Sequence, residues 1–254
     1  MSLLRRAIRN AIFTPSARGQ IGEAKISTKL NMMNVFGYNG RCLKNVYIPR
    51  ANGGTSEIDL LYITTKGLFV IESKNYSGYI FGNGNQRQWT STLYAGKSWF
   101  GGNKVEKYKF YNPIWQNNTH IKVLRDYIGP IAAFSFIVFG DNCELKNVSH
   151  QEGNIWICRE SNLGRTIKQV WDYSDNIYDE QKINDIYNRL LPLTNVSVAT
   201  KQEHIANINR VKNGEVCPRC GGALVLRSAK QGAYVGKNFY GCSNFPKCRY
   251  IRNI

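Results

Sequence analysis

The stretch from Ser56 to Ser77, SEIDLLYITTKGLFVIESKNYS, constrains the fold more than any other part of the chain. Two runs rich in β-branched and aromatic residues flank a TTKG turn, and this pattern predicts a β-hairpin. A hairpin places Asp59, near the start of the first strand, beside Glu72 and Lys74 at the end of the second. Because side chains alternate along a strand, Glu72 and Lys74 share one face and Ser73 lies on the other.

Two carboxylates and an ammonium group therefore converge at the end of an apolar hairpin. Carboxylates are the side chains by which proteins bind Mg²⁺, together with waters and substrate phosphate. Such an ion polarises a phosphate and lowers the pKa of a bound water, and a nearby ammonium stabilises developing negative charge. The alternative interpretation is a surface hairpin whose charges are only solvated.

Asp59 followed by Glu72-x-Lys74 resembles the PD-(D/E)xK nuclease signature, although Ile58 stands where that signature has proline. The text from Gly67 to Gly78, GLFVIESKNYSG, resembles the nuclease-related domain branch of these enzymes. The similarity covers about Gly19 to Leu191. It implies an α/β fold, a restriction-endonuclease-like mixed sheet flanked by helices.

The same resemblance implies residue roles. Asp59, Glu72 and the Ser73 carbonyl would hold Mg²⁺ or Mn²⁺, and Lys74 would position the attacking water. Two further matches, Gly22-Glu23 and Gln116 after Asn112-Pro113, would complete the catalytic set. From the residues alone, Glu23 is equally an ordinary acid in a first helical turn. Gln116 is equally a helix-surface residue, and we expect His120, one turn further on, to be structural.

The last part of the chain carries four cysteines in the spacing C-x₂-C-x₂₁-C-x₅-C: Cys217, Cys220, Cys242 and Cys248. Two thiolates separated by two residues can turn toward one ion, and about forty residues bury too little core without a staple. A structural Zn²⁺ is therefore expected. A pair of disulfides is the alternative, which an intracellular setting disfavours. The isolated Cys42, Cys143 and Cys158 are expected to be small buried side chains.

From Cys217 to Tyr250 the chain resembles the C-terminal zinc ribbon of bacterial type I topoisomerases. That resemblance implies binding of single-stranded DNA. The residues agree, because cations can contact phosphates and aromatic rings can stack on bases. The candidates for nucleic-acid binding are Arg227, Lys230, Lys237, Lys247, Arg249, Tyr240 and Phe245, with Tyr234, Phe239 and Tyr250 as further rings. The opposing interpretation is that about half of these aromatics form the ribbon's own core.

Composition favours a polyanionic partner. The 254 residues include 34 Lys and Arg against 17 Asp and Glu, a net charge of +17 spread along the chain. Such an excess favours nucleic acid through counterion release, although a membrane surface would also attract it. No stretch approaches the about 18 apolar residues of a membrane span. The N-terminal MSLLRRAIRNAIF has no long apolar core, and is predicted to be an amphipathic helix or a phosphate-contacting or membrane-contacting arm. We expect a cytoplasmic protein.

Three segments follow from these patterns: a nuclease-like domain at 1–195, a polar linker at 196–214, within which Lys201 to Lys212 fits a short helix, and a zinc ribbon at 215–254. The basic, aromatic stretch from Gly96 to Tyr111 is either a nucleic-acid loop or an elaborated turn. The expected function is metal-dependent hydrolysis of DNA, directed to single-stranded or distorted DNA by the ribbon. A noncatalytic DNA-binding protein on a nuclease scaffold is the alternative. RNA as substrate and a homodimer that cuts both strands stay open.

Overall fold

A computed structural model of the protein describes residues 15–50, 53–97, 103–150 and 153–254. The predicted N-terminal amphipathic helix lies outside these residues. The chain divides into two compact units, one with the described residues up to Val46 and Glu57–Thr194, the other with Tyr47–Ser56 and Asn195–Ile254. Within the described residues, no helix is both long enough and apolar enough to cross a membrane.

The predicted hairpin is present. Strand β2 covers Thr55–Thr64 and strand β3 covers Gly67–Lys74, paired antiparallel from Leu60 opposite Ile71 to Thr64 opposite Gly67. The turn is shorter than the predicted TTKG, because Thr64 and Gly67 are themselves a ladder pair. Gly67 has φ +128°, and a Cβ there would lie 2.9 Å from the Ala132 carbonyl oxygen. Both facts require glycine at this corner.

The hairpin lies inside a five-stranded sheet of order β1-β2-β3-β7-β9. Strand β3 pairs in parallel with β7, and β7 in parallel with β9, while β2 and β3 are antiparallel. The predicted mixed α/β sheet is therefore confirmed. The remaining strands of this sheet are β1 (Gly40–Pro49), β7 (Ala133–Phe139) and β9 (Ile155–Arg159).

Helices cover both faces of this sheet, as expected for an α/β fold. On one face, Ile26 and Leu30 of α1 pack with Leu60, Phe69 and Ile71. On the other, α2 packs against β3 and β7, with Ile114 beside Ile137. The helices of this unit are α1 (Pro15–Val35), α2 (Pro113–Ile128), α3 (Leu163–Tyr173) and α4 (Glu180–Leu190), with short 3-10 turns at Glu160–Asn162 and Leu191–Thr194.

A second sheet of four strands has the order β6-β5-β4-β8. Its inner face contributes Ile80, Trp89 and Phe110 to a core shared with Phe139. The basic stretch from Gly96 to Tyr111 is largely strand β6, and residues 98–102 within it lie outside the described part. The strands are β4 (Gly78–Asn83), β5 (Gln88–Lys97), β6 (Asn103–Tyr111) and β8 (Cys143–Ser149).

The second unit contains helix α5 (Val198–Lys212) and a three-stranded antiparallel sheet. The segment predicted as a linker, 196–214, is thus mostly helical. On the buried side of α5, His204 Nδ1 lies 2.9 Å from Thr55 Oγ1 and its ring contacts Tyr47. The sheet is formed by β10 (Leu224–Ser228), β11 (Asn238–Cys242) and β12 (Ile251–Asn253).

Candidate active site and zinc centre

The end of the hairpin brings three predicted residues together. The Ser73 backbone N–H donates to Asp59 Oδ2 at 2.8 Å, which joins the two strands beyond their last ladder pair. Glu72 is buried, and Lys74 Nζ donates to its Oε1 at 2.6 Å. This contact is the one that strand alternation predicts, since Glu72 and Lys74 share a face.

Helix α2 supplies two further polar groups. Lys74 Nζ also donates to Gln116 Oε1 at 3.0 Å. One turn along the helix, His120 Nε2 lies 3.2 Å from the second oxygen of Glu72, Oε2, and both side chains are almost fully buried. Gln116 and His120 are four residues apart and so lie on the same helix face.

His120 is therefore part of the cluster, which the sequence interpretation did not anticipate. The available signal was its spacing from Gln116, because residues at i and i+4 point the same way. Asn117 fixes the helix against the sheet from the same region. Its Nδ2 donates to the Val70 carbonyl at 2.8 Å and to Ser135 Oγ at 2.9 Å.

Glu23 lies further from this group. Helix α1 passes close to β3 at Gly22, where a Cβ would be 3.4 Å from Ser73 Oγ. Partial burial raises the pKa of Glu23, and the negative charges of Glu57 and Glu72 raise it further. The negative charge of Glu72 thus acts on Glu23. Its carboxylate, Asp59 and Glu72 do not converge within 4.8 Å, a convergence found among the described residues only for four cysteines.

The two carboxylates of the hairpin differ in proton affinity. Burial and the neighbouring charge of Glu72 raise the pKa of Asp59 well above its usual range. Burial acts in the same direction on Glu72, but Lys74 and His120 outweigh it and hold the pKa of Glu72 below its usual value. Burial would lower the pKa of Lys74, yet Glu72 and Asp59 raise it. A protonated Lys74 thus neutralises one carboxylate, and the charge of Asp59 is left undercompensated.

The four cysteines of the second unit form a compact cluster. Their sulfur atoms all lie within 4.8 Å of one another, with Cys217 and Cys248 at 3.7 Å and Cys220 and Cys242 at 3.3 Å. A disulfide has its sulfurs about 2.05 Å apart, so these are separate thiols. Tetrahedral Zn²⁺ with Zn–S bonds of about 2.3 Å places sulfurs about 3.8 Å apart. The cluster fits a structural zinc ion.

Hydrogen bonds prepare one of these thiols for ionisation. Burial opposes the charged form of Cys220, but the Gly222 backbone N–H, the Cys242 thiol and the Asn244 amide lower its pKa to about 7. Asn244 Nδ2 lies 3.4 Å from Cys220 Sγ. Since thiolates are the form that binds metal, this environment favours the zinc-bound state.

The predicted nucleic-acid residues of the ribbon differ in exposure. Lys230, Lys237, Lys247, Arg249 and the Phe245 ring are exposed, and Tyr240 is half-buried. Arg227 is partly committed to the ribbon itself, because its Nη2 donates to the Cys242 carbonyl at 3.2 Å. Cationic side chains lie over the faces of two of these rings. Arg252 lies over Tyr240 at 4.6 Å from the ring centroid, and Lys237 lies over Tyr234 at 5.5 Å. Rings and positive charges are therefore interleaved on this surface.

Among the remaining cysteines, Cys143 and Cys158 are buried and Cys42 is half-buried. Cys158 packs in the core of the five-stranded sheet and Cys143 in the core of the four-stranded sheet. Burial raises the pKa of both thiols to about 11. They are packing residues, as expected.

Comparison with known proteins gives two family matches. Residues 18–140 match the nuclease-related domain, and residues 214–254 match the topoisomerase DNA-binding C4 zinc finger. No solved structure matches this chain.

Individual relatives each match part of the chain. An uncharacterized protein of Bacillus anthracis is 27% identical over 192 residues, which cover 75% of this chain and 84% of that protein. DNA topoisomerase 1 of Helicobacter pylori is 33% identical over 73 residues, 29% of this chain and 9% of the topoisomerase. The uncharacterized protein YrdD of Escherichia coli is 50% identical over 44 residues, 17% of this chain and 22% of YrdD. The chain thus spans only small fractions of the last two proteins.

The first match suggests a nuclease-like function and the second suggests DNA binding. The buried hairpin end lies in the first matched segment and the four-cysteine cluster in the second. This chain therefore contains a nuclease-related domain and a topoisomerase-type C4 zinc ribbon.

Proposed function

We propose that this protein is a metal-dependent nuclease that hydrolyses DNA phosphodiester bonds. The observation that carries the proposal is the cluster at the end of the β2–β3 hairpin, in which buried Glu72 is grouped with half-buried Asp59 and Lys74. Burying charged groups is costly, and perturbed carboxylates gathered at one place mark candidate active sites. A structural salt bridge would not require the second, undercompensated carboxylate of Asp59.

The donor set of this cluster fits a hard divalent cation. Asp59 and Glu72 would supply carboxylate oxygens, and a cation beside Asp59 would favour its ionised form against the burial and the Glu72 charge that raise its pKa. The Ser73 carbonyl is a further candidate ligand. Mg²⁺ or Mn²⁺ held there would polarise the scissile phosphate and make a bound water more acidic.

The other residues of the proposed site would set its charge and orient its reacting groups. Lys74 uses two of its three N–H bonds on Glu72 and Gln116, and we assign the third to the attacking water or a phosphate oxygen. Gln116 keeps the Lys74 ammonium in place. His120 holds the second oxygen of Glu72 and so fixes the plane of that carboxylate. Glu23 adds negative charge at longer range.

The zinc ribbon would deliver this site to DNA. The topoisomerase-type finger and its exposed rings and cations support binding of single-stranded or distorted DNA, because unpaired bases can stack on Phe245 and Tyr240. The lysines and arginines of the ribbon would contact phosphates. Action on DNA would place the protein in the cytoplasm, and a homodimer would bring two such sites to the two strands of a duplex.

The first experiment is cleavage of labelled single-stranded DNA, duplex DNA and RNA with Mg²⁺ or Mn²⁺. The protein is compared with its Asp59→Ala variant and with Asn118→Ala, a change at an exposed position of α2. Metal-dependent cutting that only Asp59→Ala abolishes supports the proposal. Cutting that survives Asp59→Ala would refute the assigned site, and cutting restricted to RNA would refute the assigned substrate.

A noncatalytic DNA-binding protein is the second candidate. The observation in its favour is that both oxygens of Glu72 already contact cationic or donor groups, Lys74 on one and His120 on the other. This candidate predicts metal-independent binding of DNA without cleavage under any of these conditions.

The Lys74→Ala variant distinguishes roles within the proposed site. We expect it to abolish cleavage and to leave DNA affinity nearly unchanged, since one ammonium adds little to a chain of net charge +17. Equal loss of cleavage and binding would contradict a role in the chemical step.

A further inference from the structure

The outer face of the four-stranded sheet carries an ordered set of aromatic and basic side chains. Along β4, Ile80 is fully buried, while its neighbours Tyr79 and Phe81 are 48% and 38% exposed. Alternation along the strand therefore turns both rings to the outside. Their rings are about 7 Å apart along the strand, since each residue advances it by about 3.3 Å.

Strand register extends these two rings into two parallel rows. Tyr79 lies opposite Thr92 of β5, which lies opposite Lys107 of β6. Phe81 lies opposite Thr90, which lies opposite Lys109, in the same two ladders. Cross-strand partners project from the same face of a sheet. Each row thus runs from an aromatic ring through a hydroxyl group to an ammonium group.

Neighbouring residues add to the same character. Lys107 and Lys109 are exposed on the edge strand β6. Tyr94, which follows Thr92 by two residues on β5, is 63% exposed. On the far side of β4, Lys146 Nζ lies 5.1 Å from the Tyr79 ring centroid and 2.7 Å from Glu144 Oε1. The acid beside this face is therefore already paired, and the net charge of the face is positive.

We propose that this face binds a strand of single-stranded nucleic acid, with bases stacked on Tyr79 and Phe81 and phosphates along Lys107 and Lys109. Aromatic rings beside a line of cations are the two elements of sequence-tolerant single-strand binding. Paired bases in a duplex could not reach the rings. Edge-strand lysines also prevent sheets from pairing with one another, but that role needs no aromatic rings on the inner strand β4.

The inference deepens the proposed function, since it gives the nuclease-related domain its own contact to an unpaired strand, separate from the zinc ribbon. The test must therefore measure binding under conditions in which no cleavage takes place. We would use the full chain, loaded with zinc and carrying Lys74→Ala, so that only binding is measured. The probe is an oligothymidylate, with a duplex of the same length beside it.

The first variant is Tyr79→Ala/Phe81→Ala. We expect its dissociation constant for the oligothymidylate to rise about tenfold or more, because two stacked bases together contribute at least about 2 kcal/mol. Affinity for the duplex should change little. The matched control is Tyr173→Ala, a ring 92% exposed at the end of α3, which should leave both affinities unchanged. An unchanged single-strand affinity of Tyr79→Ala/Phe81→Ala, or an equal loss with duplex, would overturn the proposal.

The second variant, Lys107→Ala/Lys109→Ala, tests the phosphate line without touching the rings. The slope of log K against log salt should fall by about 0.7 for each lysine removed. Lys122→Ala/Lys168→Ala removes two exposed lysines elsewhere and should leave the slope unchanged. The same slope in both double variants would contradict the assignment.

Photochemical crosslinking gives a positive readout for the same face. An oligothymidylate carrying bromodeoxyuridine is irradiated with the full chain, and crosslinked peptides are identified by mass spectrometry. We expect crosslinks at Tyr79 or Phe81 that persist in the Phe245→Ala ribbon variant. Crosslinks confined to ribbon residues would show that the strand does not cross this sheet.

Discussion

At the scale of single residues, the two neighbouring carboxylates at the hairpin end differ in how well nearby groups compensate their negative charges. Glu72 has Lys74 on one oxygen and His120 near the other, so its negative charge is matched. Asp59 has one backbone N–H from Ser73 and a negative neighbour in Glu72. Ionisation of Asp59 therefore lowers the free energy of unfolding, whereas ionisation of Glu72 raises it.

The change Asp59→Asn should stabilise the fold at neutral pH in buffers without Mg²⁺ or Mn²⁺. The pKa of Asp59 is raised in the folded protein, so its ionisation costs stability as pH rises above 3.8. The asparagine has no such cost and can still accept from Ser73. We expect a Tm higher by about 2–4 °C for each kcal/mol of relieved penalty.

Thermal unfolding across the pH range measures this effect, with zinc present throughout. The difference between variant and protein should grow with pH above 3.8 and then level off. Glu72 behaves in the opposite way, because its folded pKa is lowered: its contribution is present above 4.5 and is lost as pH falls through the folded value. A Tm difference that is independent of pH would contradict the assigned charge of Asp59.

Replacing His120 should act through Glu72 on the proposed divalent-metal site. We expect His120→Ala to weaken Mn²⁺ affinity or cleavage by about 10–100-fold, the usual cost of losing a group that orients a ligand. His120→Gln keeps a donor and should recover part of the loss. Titration with Mn²⁺ checks both, and Lys122→Ala on the same helix is the control. Equal behaviour of the alanine and glutamine variants would point to packing alone.

The sequence was sufficient to predict that Asp59 lies beside the end of β3 and that Glu72 contacts Lys74, because a hairpin and strand alternation determine both locally. It was not sufficient for His120. A histidine on an amphipathic helix fits the core equally well, and only the packing of α2 on β3 brings its ring within 3.2 Å of Glu72. The hydrophobic periodicity of a sequence gives no information about contacts between elements that lie far apart in it.

At the scale of elements, the start of α2 follows from local sequence, because proline is favoured as the first helical residue and asparagine as the cap before it. Pro113 is the first helical residue and the Asn112 side chain caps the helix, accepting from Ile114 N–H at 2.9 Å. The other half of the Asn112 amide was not predictable. Its Nδ2 donates to three carbonyls of the β4–β5 turn, those of Asn83, Gly84 and Gln86.

Replacing this cap should therefore cost more than an ordinary helix cap. We expect Asn112→Ala to lower the free energy of unfolding by about 2 kcal/mol or more, because it removes the helix cap together with the buried amide that ties α2 to the β4–β5 turn. Urea unfolding followed by circular dichroism measures the loss. Asn118→Ala, on the same helix, is the control and should change stability by less than about 0.5 kcal/mol.

Helix α5 was foreseen in part. The stretch 196–214 is polar and rich in Asn and Lys, which predicted a linker with a short helix from Lys201 to Lys212. The helix is longer, Val198–Lys212: Ser197 caps its start, accepting from Thr200 N–H at 3.1 Å, and it buries His204. A single buried position gives almost no apolar period, so the full extent of the helix is hidden from that criterion. The strand-to-strand register of the four-stranded sheet was hidden for a similar reason, because it joins separate stretches of chain.

At the scale of the whole molecule, the zinc ion is expected to support the binding function. Forty residues around four sulfurs form little apolar core, so metal binding and folding of the ribbon are coupled. Removing zinc with a chelator, or Cys242→Ser, should disorder the ribbon and weaken oligothymidylate binding at least tenfold. Zinc release and DNA affinity are measured on the same samples.

Cys42→Ser is the matched control, because Cys42 lies outside the four-cysteine cluster and is half-buried. It should retain zinc and DNA affinity. Full DNA affinity after complete loss of zinc would contradict a binding role for the ribbon.

The position of β3 between β2 and β7 has a consequence for protein synthesis. β3 comprises Gly67–Lys74, but its parallel neighbour β7 begins only at Ala133, and Gln116 and His120 are also translated after β3. Parallel pairing between distant segments is a late and slow step of folding. A ribosome must therefore pass Phe139 before the chain can enclose the Glu72–Lys74 pair. Nascent chains that stall earlier carry Asp59, Glu72 and Lys74 without the strand and helix that surround them in the folded domain.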